Sequence, residues 1–267
     1  MATTGGPRIF NTYDLADIQW YMDITNPDCW DGSAISNDPA TKLYNLADET
    51  GTYFLRTYAD TMTSTNYDIS RKRIQRKYGT DGQAQTNFIS SDNSGQVTFP
   101  TFTSATTGAK SGFVFLKGLV GSGNQSTNNI YLGGFEGRLS IRIAGSGVTN
   151  QPGVLMYWEA GGGGLSRTNS TDVTDGNWHS VGYKVVGNGS TIHITIYIDG
   201  KNVSNGSYSF DGNELPNTNK KIVMGGWNVS YGEFTGEYGN WILFDTELDD
   251  TDFKQLHNSF FNKYRYL

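Results

Sequence analysis

The clearest pattern in the chain is an alternation of apolar and polar residues between positions 175 and 203. Isoleucine occupies every second position from Ile192 to Ile198, with more polar residues between. A period of two places one set of side chains on one face of a strand. A similar alternation runs through 178–186, and Asp199-Gly200 is a dipeptide that tight hairpins favour. We therefore predict an antiparallel meander of three strands in this stretch.

Other segments carry weaker strand patterns. The nearly continuous apolar run at Gly112–Leu119 is typical of a central strand in a sandwich. The stretch 129–145 predicts two strands joined near Gly133-Gly134. Further predicted strands cover 18–24, 52–58, 96–102, 154–160, 221–224 and 238–244. Many short strands without intervening helices predict an all-β domain.

The end of the chain, from Asp249 onwards, carries a helical pattern instead. Asp249 is a favourable residue to cap a helix, and Asp252 follows three positions later, near the positive end of the helix. The apolar residues fall on one helical stripe: Phe253, Leu256, Phe260, Phe261 and Tyr264. We expect a short C-terminal helix that packs on the edge of the sandwich.

Composition supports one β-rich domain of 267 residues, since glycine occurs 34 times, aromatic residues make up 13% and charged residues only 17%. A disordered chain would have fewer aromatic residues and more charge. Residues 1–17 are rich in turn and extended-chain formers and are expected to form an extended arm. Residues 18–267 then form the domain.

Charge and cysteine content narrow the partners. A net charge of −6 disfavours a general nucleic-acid binder, because the field of the whole molecule repels phosphate. Cys29 is the single cysteine, so no internal disulfide forms. No stretch is apolar enough to cross a bilayer, and the first ten residues lack the features of a signal peptide. We expect a soluble protein made in the cytoplasm.

Several motifs resemble the laminin-G-like, concanavalin A-like family. The DGNWH motif at 175–179, followed by a strand and then by IYIDGK at 196–201, resembles the central signature of the family. The segments 18–30 and 42–48 resemble the opening of such domains in tailed-phage virion proteins, including those of cyanobacterial viruses. The IVMGG motif at 222–226 and the stretch 234–266 resemble the ending, a turn followed by a final strand and a short helix.

The resemblance implies a two-sheet antiparallel jelly-roll β-sandwich of the concanavalin A-like type. It also implies a non-enzymatic structural protein of the virion: a capsid decoration, neck, tail or fibre component. Such a protein would dock on other virion proteins and be repeated as a homo-oligomer in the particle. Members of the family include lectins, protein-binding modules and glycosidases, so the fold alone does not fix the function.

Enzymatic chemistry has little support in the sequence. Glycosidases need two carboxylates at a defined separation, and the nearest arrangement is Glu233 with Glu237, in a glycine-rich stretch that we expect to be a loop. The three histidines, His179, His193 and His257, lack the clustering that metal or triad chemistry requires and are interpreted as structural. We predict no catalytic residue. A glycoside hydrolase is the third hypothesis, after a virion structural protein and a carbohydrate-binding module.

Binding chemistry has better candidates. Sugar binding uses an exposed aromatic plate beside amide groups, and the best candidates are Trp227, Asn228, Tyr231 and Trp158. The alternative function is therefore a carbohydrate-binding module that adheres to host surface glycans. The competing interpretation of Trp227, Tyr231 and Trp158 is that they are aromatic residues of the core or of a protein interface.

A cationic stretch and scattered acids complete the candidates. Five cations, which are interpreted as a surface for docking on an acidic protein partner, are Arg71, Lys72, Arg73, Arg76 and Lys77. No cofactor is predicted, and Ca²⁺ is left open. The candidate calcium ligands are Asp23, Asp28, Asp31, Asp245, Glu247 and Asp250, for which the competing interpretation is solvated loop and cap residues.

Overall fold

The architecture comes from a computed structural model, which describes most of the predicted strands and the helix. The described residues are 18–23, 26–29, 42–47, 54–57, 74–76, 88–90, 96–98, 107–118, 130–135, 139–143, 154–160, 163–169, 171–173, 175–188, 191–209, 219–224, 232–233, 236–244 and 246–264. The predicted arm at 1–17 lies outside these ranges.

The elements are numbered along the chain. They are β1 (Ile18–Asp23), β2 (Lys42–Tyr44), β3 (Phe54–Thr57), β4 (Ile74–Arg76), β5 (Phe88–Ser90), β6 (Gln96–Thr98), β7 (Thr107–Gly118), β8 (Ile130–Phe135), β9 (Leu139–Ile143), β10 (Val154–Ala160), β11 (Gly163–Asn169), β12 (Trp178–Asn188), β13 (Thr191–Ile198), β14 (Lys201–Ser209), β15 (Asn219–Met224), β16 (Gly232–Glu233), β17 (Gly236–Phe244) and α1 (Asp250–Tyr264).

The strands form two sheets. The first has seven strands in the order β1-β17-β7-β12-β13-β14, with β4 beside β17. The second has ten strands in the order β11-β10-β9-β8-β15-β5-β3-β2, with β6 beside β15 and β16 beside β8. The pairing of β16 with β8 is parallel, and the pairings along both main orders are antiparallel. The chain is an antiparallel β-sandwich with a C-terminal helix, as predicted.

The predicted meander is confirmed as β12, β13 and β14. Val181, Tyr183 and Val185 on β12 lie opposite Ile198, Ile196 and Ile194 on β13, and all six side chains are buried. They face away from α1, as the inner face of a sandwich does. Ile194, Ile196 and Ile198 therefore form part of the inner face of the first sheet.

One predicted turn is wrong. Gly133 and Gly134 do not join two strands but lie inside β8, opposite Ile141 and Ser140 of β9. The register shifts between Tyr131 and Gly133. Glycine inside a strand commonly marks such a bulge. Strand β8 continues to Phe135, which lies opposite Leu139 of β9.

The helix α1 packs on the face of the first sheet and not on its edge, which corrects the expectation from the sequence. The ring of Phe253 stacks on Tyr197 of β13 at 3.8 Å between centroids, and Phe260 lies 5.6 Å from Phe113 of β7. The physical reason is visible in β7, where Phe113 alternates with Val114 and both are buried. Both faces of the strand are apolar, so each needs a cover.

Two glycines make room for the helix on this face. A β-carbon on Gly182 would lie 2.6 Å from the ring of Phe253, and one on Gly239 would lie 2.6 Å from the ring of Tyr264. Real side chains do not approach so closely, so any other residue at either position would push α1 away. Two aromatic rings of α1 therefore pack directly over glycines of the sheet, where no side chain is present.

The helix cap is formed by the predicted residues, but one residue of the predicted stripe is misplaced. The Asp249 carboxylate accepts hydrogen bonds from the N–H groups of Thr251 and Asp252, and Asp252 accepts one from the Asp249 N–H. Reciprocal bonding of this kind is a capping box. Phe261, by contrast, is 40% exposed. It lies one position beyond Phe260 and therefore faces about 100° away from the sheet.

The edge of the first sheet at β1 is covered by the turn that follows β2. The Asn45 side-chain oxygen accepts hydrogen bonds from the N–H groups of Tyr21 and Ala47, and the Leu46 N–H donates to the Tyr21 carbonyl. Such cover protects an edge strand from pairing with another chain. In the part of the chain that the structure describes, α1 is neither long enough nor apolar enough to span a bilayer.

Candidate functional site

Among the described residues, a cluster of titratable groups lies where β12, the β13–β14 turn and α1 meet. We call it the hairpin–helix junction and define it by Asp175, His179, Ser180, Asp199 and His257. The DGNWH motif supplies its first part, since Asp175 closes a turn by accepting a hydrogen bond from the Asn177 N–H at 2.8 Å. The Asp199-Gly200 turn supplies the second, with both residues at positive φ (52° and 72°). Such angles are those that aspartate and glycine tolerate.

His179 is held between two carboxylates. Its Nε2 lies 2.9 Å from Asp175 Oδ1, and its Nδ1 lies 2.9 Å from Asp199 Oδ2. The Ser180 N–H also donates to Asp199, at 3.1 Å. An imidazole with a carboxylate on each nitrogen is a protonated donor on both sides. The arrangement ties the start of β12 to the β13–β14 turn.

The pKa values in the junction reflect this pairing. Burial on its own would lower the pKa of His179, but the hydrogen bonds and charges of Asp199 and Asp175 outweigh it and raise that pKa to about 9. Burial would raise the pKa of Asp175, but the hydrogen bonds from Asn177 and His179 bring it down to about 2. The pKa of Asp199 is lowered against its burial by the same histidine. His179 is therefore charged at neutral pH.

The serine and second histidine of the junction do not form a catalytic triad. The His257 Nδ1 lies 3.0 Å from the Ser180 Oγ and 3.7 Å from Asp199 Oδ1. A triad needs the serine and the acid on opposite nitrogens of the imidazole, whereas here both face the same one. Ser180 is also only 1% exposed. The junction connects structural elements and is not arranged for nucleophilic catalysis.

The pair of glutamates considered for glycoside hydrolysis lies on strands, not in the expected loop. Glu233 ends β16, which pairs with β8 in the second sheet, whereas Glu237 lies in β17 of the first sheet, opposite Lys117. Both residues are paired with neighbouring strands and are therefore not in a loop. The two residues therefore belong to different sheets and do not share one strand, as paired carboxylates of this fold would.

Most of the candidate calcium ligands that the structure describes have hydrogen-bond or ion-pair partners within the chain. The Asp23 carboxylate faces the Lys263 ammonium group and accepts from the Tyr21 hydroxyl at 3.3 Å. Glu247 accepts from Lys184 at 2.9 Å, and Asp250 accepts from the Tyr197 hydroxyl at 2.7 Å. Asp28 is exposed. Among the described residues no three or more His, Cys, Asp or Glu side chains are grouped to hold a metal ion, and Asp31 and Asp245 lie outside those residues.

The predicted sugar-binding residues are only partly described. Trp158 lies in β10, where its backbone pairs with Leu139 and Leu165. Trp227, Asn228 and Tyr231 lie outside the described residues, in the segment that connects the end of β15 to the start of β16. Both of those strands pair with β8. The segment therefore begins and ends beside the same strand of the second sheet.

The cationic stretch is described at one position. Arg76 ends β4, and its backbone lies opposite Gly236 of β17, which places it in the first sheet. Arg71, Lys72, Arg73 and Lys77 lie outside the described residues. Cys29 is fully buried, and burial raises the pKa of its thiol to about 12, so it is not a reactive nucleophile.

Sequence reasoning missed most of the hairpin–helix junction. Asp199 forms the turn that the sequence predicts and Asp175 forms another, but each also holds His179. His193 is exposed on β13, while His179 and His257 converge on Asp199 although 78 positions separate them in the chain. One signal in the sequence could have brought the two aspartates together. Asp175-Gly176 precedes β12 and Asp199-Gly200 follows β13, and in an antiparallel pair these two turns lie at the same end.

Comparison with known proteins gives structural neighbours without sequence relatives. No protein family matches the chain, and no curated protein matches its sequence. The binding domain of botulinum neurotoxin serotype D is similar, at 13% identity, with a TM-score of 0.56 over 94% of this chain and 52% of that one. The binding domain of Paraclostridial Mosquitocidal Protein 1 is similar, at 12% identity, with a TM-score of 0.52 over 93% and 53%.

A third neighbour carries a bound partner. The binding domain of botulinum neurotoxin DC in complex with rat synaptotagmin II is 14% identical, with a TM-score of 0.50 over 92% of this chain and 52% of that one. The shared feature is the β-sandwich fold. The chain spans about half the length of these binding domains, and identities this low relate backbones and not sites.

Proposed function

We propose that the chain is a non-catalytic recognition module that binds a glycan on the surface of a host cell. The observation that supports it is the backbone match over more than nine-tenths of the chain to binding domains of toxins. In one of these neighbours the binding domain carries rat synaptotagmin II. This support favours the adhesion alternative over a purely structural role.

The geometry of the described residues supports binding over hydrolysis. Glu233 and Glu237 are assigned to different sheets, and Ser180 and His257 are not arranged as a triad. A module that only binds needs neither pair. The sugar site that we propose consists of Trp227, Asn228 and Tyr231, with Trp158 as a second contact, because indole and phenol rings offer a flat apolar surface and a polar tip together.

A glycan array tests the proposal. The unmodified protein is expected to bind a subset of glycans, and Trp227→Ala is expected to lose most of that binding. Tyr44→Ala is the matched control, because Tyr44 is a 37% exposed aromatic residue in β2. Binding that is equal in the Trp227→Ala variant, or absent from the unmodified protein, would contradict the proposed function.

The place of this module in a phage particle remains a prediction from the resemblance at the two ends of the chain. The neighbours named above are toxin domains and give a virion role no support. In a particle, many symmetric copies would raise the effective affinity for a surface glycan. Mass spectrometry of purified particles tests this localisation, and absence of the protein from them would contradict it.

A further inference from the structure

A second surface with binding chemistry lies on the solvent side of the hairpin–helix junction. We call it the lysine–phenylalanine patch and define it by Lys201, Lys254, His257 and Phe261. The β13–β14 turn touches the helix directly, since a β-carbon on Gly200 would lie 2.8 Å from the Cα of Lys254 and 3.1 Å from the Cβ of His257. Lys201 follows that glycine, so the two lysines are neighbours across the contact.

The two lysines differ from others in the described parts of the chain. Lys184 and Lys263 are paired with Glu247 and Asp23. Lys201 and Lys254 are exposed, and neither forms an ion pair with another described residue. Their ammonium groups are therefore available to an anion from solution.

An exposed aromatic ring stands beside these cations. Phe261 is one of two large apolar residues exposed in the described part of the chain, and its ring stacks on the His257 ring at 5.6 Å. Lys254, His257 and Phe261 are spaced by three and four positions, which places them on one stripe of the helix over about 11 Å. A lone exposed ring is ordinary, but this one shares its helix stripe with the unpaired cation of Lys254.

Charges of both signs surround the patch, and the chain carries a net −6. Asp175 and Asp199 are the acids of the junction, and both are engaged by His179. That histidine has a pKa of about 9, so it offsets one of the two carboxylates at neutral pH. Asp250, one turn before Lys254, accepts from the Tyr197 hydroxyl, and Asp252 takes part in the helix cap. The acids beside the two lysines are therefore engaged within the chain, whereas the lysines are not. A site of this kind prefers a ligand with both an apolar face and a negative group.

We propose that the lysine–phenylalanine patch binds an acidic glycan, with a sugar ring on Phe261 and the carboxylate or sulfate between Lys201 and Lys254. Charge-assisted hydrogen bonds from ammonium groups are the stronger kind, and they would select acidic over neutral sugars. The inference rests on the proposed function and names its ligand class, at a site separate from Trp227.

The test is an NMR titration of the full chain with three sugars that share one neutral core: sialyllactose, sulfated lactose and lactose. Sialyllactose or sulfated lactose is expected to bind about tenfold more tightly than lactose, and the sugar that binds identifies the acid group. Binding should weaken as salt rises, because exposed charges are screened. Equal binding of lactose would overturn the proposal.

Variants separate this patch from other sites. Lys201→Gln with Lys254→Gln, and separately Phe261→Ala, should each weaken binding about tenfold, while the matched charge control Lys184→Gln should not. The proposal fails if the double variant binds as the unmodified protein does, or if a short polyglutamate binds as tightly as sialyllactose. Binding lost only in Trp227→Ala would overturn the patch and leave the proposed function standing, whereas no binding to any sugar would overturn both.

Discussion

At the scale of single residues, His179 joins two carboxylates at one end of the β12–β13 pair. Its two nitrogens contact Asp175 and Asp199, which lie at the two turns flanking β12 and β13. Its pKa is raised to about 9 from an ordinary value of 6.5. A raised folded-state pKa stabilises the fold fully below the unfolded value, and the stabilisation is lost as the pH rises through the folded value.

Replacing this histidine should therefore destabilise the protein in a pH-dependent way. We expect His179→Gln to lower the free energy of unfolding by about 1–2 kcal/mol at pH 6, a figure reduced because its partners are partly exposed. The difference from the unmodified protein should shrink between pH 6.5 and 9 and vanish above that. Urea unfolding at pH 6 and 9.5 measures it. His193→Gln, at an exposed position, should show no such trend, and a difference equal at both pH values would contradict the prediction.

At the scale of elements, the fit between α1 and the sheet depends on two missing side chains. The ring of Phe253 occupies the space above Gly182, and the ring of Tyr264 occupies the space above Gly239. Interiors are packed densely enough that a single added methyl group is felt. Substitution at these glycines therefore probes the seating of the helix directly.

We expect Gly182→Ala to lower the free energy of unfolding by about 1–3 kcal/mol, because its methyl group would collide with Phe253. In a Phe253→Leu background, where the ring is gone, the same change should cost less. Thermal or urea unfolding of the four proteins in this double-mutant cycle measures the coupling. Purely additive effects would show that the collision is not the cause.

The helix start offers an independent element-scale prediction. Asp249→Ala removes the carboxylate that accepts from two N–H groups and should cost about 1 kcal/mol. Gln255→Ala, at an exposed position in the middle of α1, is the matched control and should change stability by less than about 0.5 kcal/mol. Equal effects of the two changes on urea unfolding would argue against the cap.

The sequence predicts the environment of a strand well where apolar and polar residues alternate, and poorly where both faces of the strand are buried. The isoleucine row identifies β13 because Thr191, His193 and Thr195 alternate with it. The exception on that second face is Tyr197, which is buried under Phe253. In β7 Phe113 and Val114 are both buried, so alternation disappears, and with it the clue that a helix covers the outer face. The five apolar residues of α1 fit one wide stripe in the sequence. The close approach of Phe253 to Gly182 and of Tyr264 to Gly239 selects a narrower stripe, which leaves Phe261 exposed. Convergence of His257 on Asp199 needs the tertiary contact and has no local signal.

At the scale of the whole molecule, α1 belongs to the core and does not behave as an appendage. Phe253, Leu256, Phe260 and Tyr264 are buried in the same cluster as Phe113 and Phe115. Burial of each such side chain contributes roughly 1.5–3 kcal/mol, an upper estimate. Together they approach the stability of about 5–15 kcal/mol typical of a whole domain. Release of the helix should therefore cost nearly as much as unfolding the sheet.

Native-state hydrogen exchange tests whether helix and sheet open together. We expect peptides from 250–264 and from 178–188 to exchange with the same opening free energy and the same dependence on denaturant, because neither can lose its partner and stay folded. Asp28, which is exposed in the turn that follows β1, should exchange with much lower protection. If α1 opened at least about 2 kcal/mol more easily than β12, the helix would be a separate unit. A helix that opens only with the sheet holds Lys254 and Phe261 in fixed positions, and such preorganisation lowers the entropic cost of binding a glycan there.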